Sequence, residues 1–189
     1  HGQREAVRQL DAEFDNCRAA WHRAVALGDF RSLATYAPAL RDYCEHTGRY
    51  ADGVALLDEA AAAHAGGAGA LHAAILDAAA AHLEHRLDRY VQAQARARRA
   101  LAALEASHHA GRRSAWGMPA EHPAAAPGTG IPTARTSPTA DWAQRECRLQ
   151  CQKILGMAAF MLGQHDEAQT HLRQMLDLAQ ADGDARAAA

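Results

Sequence analysis

The stretch Thr47–Ala60, "TGRYADGVALLDEA", sets a glycine, then an aromatic, a small residue, a leucine and an alanine at fixed offsets: Gly48, Tyr50, Gly53, Leu57 and Ala60. The same register returns as Asp88, Tyr90, Ala93, Ala97 and Ala100, and again as Gly163, His165, Ala168, Leu172 and Met175. Upstream of the last set, Leu155, Gly156 and Ala159 sit where the first helix of a pair is expected. Turn signals recur between these units, at Gly28-Asp29, Gly48, Gly66-Gly67, Asp88 and His109–Gly111. The segments between them have helical periodicity. Leu10, Phe14, Cys17, Trp21 and Ala24 form one stripe, and Leu33, Ala37, Leu40 and Cys44 another. Val54, Leu57 and Ala61, then Leu71, Ile75, Ala78 and His82, and finally Tyr90, Ala93, Ala97 and Leu101 continue the pattern. Gly28 suits a left-handed helix end and Asp29 the N-cap of the next helix. No run alternates with period two long enough for a strand, so an all-α fold is expected.

Helix pairs repeating every 34 to 40 or so residues mark a helical solenoid. The register above resembles the tetratricopeptide repeat (TPR), without its first-helix tryptophan and closing proline. It covers roughly residues 28–107 and 141–181. The expected fold is therefore a TPR-like α-α superhelix of about seven antiparallel helices. Residues 1–110 carry repeats, and residues 140–189 a final hairpin and tail. The hairpin is read as a long helix from Asp141 through Leu162, a turn at Gly163 and a last helix ending near Gly183. Between them, 111–139 holds five of the six prolines and no periodicity, which reads as a long Pro/Gly-rich irregular insertion. Solenoids tolerate such insertions because loop-closure entropy grows slowly with length. Trp116 and Ile131 are its apolar anchors if it binds a partner; without one it is a variable insertion.

Composition supports the helical reading and excludes several functions. About a quarter of the 189 residues are alanine, and Lys153 is the single lysine. A net charge of −2 signals neither a nucleic-acid binder nor an acidic tail. No apolar run is long enough for a membrane span, and there is no signal-peptide pattern. The start at His1 is expected of a piece of a longer chain. Four cysteines are too few and too embedded in helical stripes for a secreted disulfide framework, so a reducing cytoplasm is the expected location.

Few constellations carry chemistry. Cys147 and Cys151 share a helix face, but that face continues through Ile154, Ala158 and Met161 at core spacing. Cys17 and Cys44 also lie on apolar stripes. His82 and His85 are one turn apart, with neither an HExxH motif nor a third ligand identifiable by spacing. The "GGAG" at 66–69 is a helix–helix turn rather than a phosphate loop. Arg86, Arg89, Arg96, Arg98, Arg99, Arg112 and Arg113 form a basic run without the aromatics that stack bases. No catalytic, cofactor or metal residue is assigned.

One block is more specific. "LDAEFDNCRAAWHRAVALGD", Leu10–Asp29, resembles the segment that opens the superhelical region of bacterial STAND-type ATPases, including AfsR-like and LuxR-like transcriptional regulators. The pattern rests on Leu10, Asp11, Glu13, Asn16, Arg18, Ala19 and Ala20, followed by Trp21. The resemblance implies a non-catalytic interaction or sensor arm of a larger cytoplasmic signalling or transcriptional regulator. Its partners would be proteins, other domains of the same parent chain or a small effector, with a homodimer as a further option. Tyr36, Arg41, Tyr43 and Glu45 are candidate partner-binding residues on the helix before Gly48, together with Arg96, Arg99 and Trp116. The rival readings are a nucleic-acid module using the 86–113 arginines and a metal-dependent enzyme using His82, His85 or the cysteine pair.

Overall fold

The computed structural model describes residues 11–64, 69–115 and 138–187. Among them there are helices and turns and no strand. Seven helices follow one another: α1 (Phe14–Leu27), α2 (Phe30–Thr47), α3 (Tyr50–His64), α4 (Ala70–Arg86), α5 (Tyr90–Ala115), α6 (Pro138–Met161) and α7 (His165–Ala187).

Four of the expected turns stop the helices as predicted. Gly28, Gly48 and Gly163 all have φ near +70°, and Asp88, which stands in the glycine register, has φ +59°. Past three of these residues the next amide reaches back to a carbonyl five residues earlier: Asp29 to Ala24, Arg89 to Glu84 and Gln164 to Ala159. This closes the last helical turn and satisfies carbonyls that would otherwise be orphaned. Tyr50, Tyr90 and His165 are each the first residue of the helix that follows, so the sequence register is a structural one.

Asp29 accepts the Ser32 amide at 3.2 Å and caps α2. That bond holds its carboxyl below the usual range. A depressed carboxylate stabilises the fold above its unfolded pKa and loses that contribution as pH falls through the folded value. Asp29→Ala should therefore lower the melting temperature at pH 7, and the gap from wild type should close in acid. Melting curves at pH 7 and pH 3 check this.

Helices adjacent in sequence pack on each other from α1 to α7, with α5 and α6 meeting across the long connection. The first helices of the hairpins also meet side by side, α2 on α4 and α4 on α6, and α1 lies on both α2 and α3. Helix α4 is central, with buried side chains round most of its circumference. Its Leu76, Ala79, Ala80 and Leu83 join the core formed by α1–α3, and Ala74, Ala78 and Ala81 join the core formed with α5 and α6. Cys147 and Cys151 lie in that second core beside Ile154, Leu155 and Ala97 as free, buried thiols.

Several expectations need correction. The turn placed at His109–Gly111 is absent: α5 runs on to Ala115, because arginine and alanine propensity outweighs one helical glycine at about 1 kcal/mol. Helix α6 begins at Pro138, whose missing amide suits a first helical position, so helix intrudes on both ends of the 111–139 stretch. Helix α7 passes through Gly183 rather than ending there. Cys17 is exposed, not core. In the third unit Leu172 is 38% exposed, whereas its counterparts Leu57 and Ala97 are fully buried. Gly66-Gly67, Trp116, Ile131 and Leu10 lie outside the described residues.

Candidate functional site

One concavity among the described residues is built from two apolar stripes. Helix α1 presents Phe14, Cys17, Ala20, Trp21 and Ala24, and α2 presents Leu33, Tyr36, Ala39, Leu40 and Tyr43, enclosing about 460 Å³. The sequence register predicts the two stripes. It does not predict that they diverge enough to leave a groove. The base is rigid: the Trp21 indole donates to the Leu56 carbonyl at 2.9 Å, and the Phe14 and Tyr43 rings stack 5.0 Å apart. The Tyr43 hydroxyl donates to Asp11 at 2.8 Å, and Arg49 lies over the Phe14 ring and also reaches Asp11. Burial and the Asp11 carboxylate push the Tyr43 phenol up to about 12, so at neutral pH it is a fixed donor. Tyr36 is 63% exposed at the rim, and Arg18 and Ser32 contribute the polar edge. The lining offers shape and apolar surface, with no paired acid and base for proton transfer.

The four residues singled out on α2 separate. Tyr36 lines the groove, whereas Tyr43 is buried in its wall and is not a free contact. Arg41 and Glu45 belong to a polar face shared with α4. The Arg41 guanidinium pairs with Asp42 at 2.7 Å. Glu45 lies 2.9 Å from His82 Nε2 and 3.6 Å from the Arg86 guanidinium. Burial raises the Glu45 carboxyl, but the His82 bond and the neighbouring cations outweigh it and leave it below the usual range. Burial lowers His82 despite Glu45, with Arg41 and Lys153 adding to the effect, so neutral His82 donates to the carboxylate. His85 is lowered the same way, and its buried Nε2 has no partner among the described residues. The pairing that spacing suggested between His82 and His85 is thus not made. His82 turns to Glu45, and His85 stands edge-on to the Tyr90 ring.

Arg96 and Arg99 are not a free basic stripe. Arg96 lies among three carboxylates: Asp58 at 2.5 Å, Glu84 at 3.0 Å and Asp77 at 3.6 Å. Arg99 also pairs with Asp77, at 2.8 Å. Arg98 pairs with Glu167. These ion pairs join α3, α4, α5 and α7, and they neutralise the charge that phosphate binding would need. Spacing along α5 carries no sign of this, because the acids come from three other helices, α3, α4 and α7.

Among the described residues, no three histidine, cysteine, aspartate or glutamate side chains converge as metal ligands. Its hydrogen bond with Cys147 and its burial push the Cys151 thiol far up, so at neutral pH it is a thiol and not a thiolate. No described helix is long and apolar enough to cross a membrane. No family model matches the chain, and no curated protein or solved structure matches it either.

Proposed function

We propose that this chain is a non-catalytic, TPR-like helical module that receives an apolar or aromatic part of a protein partner or small effector in the α1/α2 groove. The observation that carries the reading is that groove: about 460 Å³ of apolar concavity with an exposed tyrosine at its rim and a hydrogen-bonded base. Such a preformed surface binds without the cost of ordering its own side chains. The side-by-side first helices, with the second helices behind them, support the superhelical reading. The likeness of Leu10–Asp29 to the arms of STAND-type regulators supports a place in a larger signalling protein. Occupancy of the groove would act on neighbouring domains only through differential affinity for two arrangements of the arm.

Titration with an anilinonaphthalene fluorophore tests the site. Tyr36→Glu should weaken the groove-bound component at least tenfold, and Val91→Glu, at another exposed apolar position, should leave it unchanged. Equal binding by wild type and Tyr36→Glu would remove the groove as the site. Repeating the titration on a chain lacking residues 1–10 shows whether that segment competes for it. The nucleic-acid reading is weaker than the charge run suggested, because Arg96 and Arg99 are already matched by Asp58, Asp77 and Glu84.

A further inference from the structure

A second surface stands apart from the groove. Along α6, Trp142, Glu146, Gln150, Lys153, Met157 and Phe160 recur at steps of four and three, which places them on one stripe. Its large apolar members are not covered: Trp142 is 58% exposed, Met157 38% and Phe160 61%. Its charges are also unmatched. Glu146 accepts only the Gln150 amide, at 2.9 Å, and Lys153 has no carboxylate partner among the described residues. Its nearby histidines, His82 and His85, feel it only as a like charge that disfavours their protonation.

The order of groups is symmetric. Glu146 and Lys153 lie equally far on either side of the midpoint between Leu149 and Gln150, and so do Trp142 and Met157. Two such stripes laid antiparallel about that midpoint set each Glu146 against the partner's Lys153. They also set each Trp142 against the partner's Met157. We infer that α6 is a self-complementary surface through which two copies of this chain pair by a two-fold axis. An isologous interface of this kind doubles every favourable contact, so a short stripe suffices for reversible association. With one helix pair at its centre the interface is at the small end of specific contacts, so dissociation at roughly micromolar concentrations is expected.

Sedimentation equilibrium on the full chain, with and without charge exchanges, decides the matter. Wild type should show a monomer–dimer equilibrium. Glu146→Lys alone and Lys153→Glu alone each create two like-charge pairs per dimer and should weaken association at least tenfold. The double exchange should restore it to within about threefold of wild type. An equimolar mixture of the two single variants should also dimerise, because every pair across that interface is again opposite in charge. Far-ultraviolet circular dichroism confirms that each variant is folded. A wild type that stays monomeric, which would mean that another segment or partner covers α6, overturns the inference. So do single variants that associate like wild type, or a double exchange that fails to recover.

Discussion

Replacing Arg96 by alanine is expected to destabilise the chain by about 3–5 kcal/mol, because it leaves the buried Glu84 carboxylate, beside the partly buried Asp77, without its cation. The guanidinium, carried by α5, touches Asp58 of α3 and both Asp77 and Glu84 of α4. Glu84 is 4% exposed, so its charge cannot be returned to water without opening the helix pair. Its Oε2 lies 3.0 Å from Arg96 Nε but off the line of the N–H, so what compensates it is charge rather than an aligned hydrogen bond. Burial works against the Arg96 charge as well, and the carboxylates more than offset it. Arg96→Lys should recover only part of the loss, since a compact ammonium on a flexible stem cannot lie against all three acids as the planar guanidinium does. Arg99→Ala removes a solvent-facing pair with Asp77 and should cost within about 1 kcal/mol. Urea unfolding of the three variants checks the ranking, and near-equal losses for Arg96→Ala and Arg99→Ala would contradict it. Because the fold itself depends on Arg96, its charge reversal is a poor probe of nucleic-acid binding: lost binding would report lost structure.

The clamp also shows where sequence reading runs out. Helix boundaries at Gly28, Gly48, Asp88 and Gly163 were legible because turn chemistry is local: a left-handed residue declares itself without its neighbours. The α1 and α2 stripes were legible for the same reason. What periodicity cannot supply is which stripe faces which, and how far apart the helices stand. Cys17 shares the spacing of Phe14 and Trp21, yet it is exposed while they are buried against α2 and α3. Arg96 reads as one more solvated arginine until Asp58 and Glu84 are brought to it by packing. Tyr43 reads as an accessible aromatic until Asp11 is seen to hold its hydroxyl. The groove and the clamp are both products of helix pairing, a level above the repeat register.

Gly53 is the position where register and packing meet, and Gly53→Leu is expected to abolish native folding. A Cβ at this position would lie 2.5 Å from Leu83 Cδ1, 2.8 Å from Cys44 Sγ and 3.1 Å from Cys44 Cβ. Leu83 and Cys44 are both fully buried, in α4 and α2, so neither has solvent to move into. Even one methyl group sets an overpacking cost of about 1–3 kcal/mol against the roughly 1 kcal/mol that alanine gains over glycine in a helix. Gly53→Ala should thus be mildly destabilising, and leucine, with three further carbons, should force α2 and α4 apart. The equivalent Ala93 and Ala168 already carry that methyl and remain buried, so the register demands a small residue, and Leu83 with Cys44 makes it glycine here. Gly156 supplies the contrast. Its added Cβ would meet Leu172 Cγ at 2.7 Å, but Leu172 is partly exposed and can swing aside. Gly156→Ala should therefore be near neutral by thermal melting while Gly53→Ala is not. In a Gly53→Ala, Leu83→Ala double variant, the combined loss should be smaller than the sum of the single losses, because the second change removes the atom that the first strikes. Strict additivity would mean that α3 does not cross α4 as closely as the 2.5 Å approach requires.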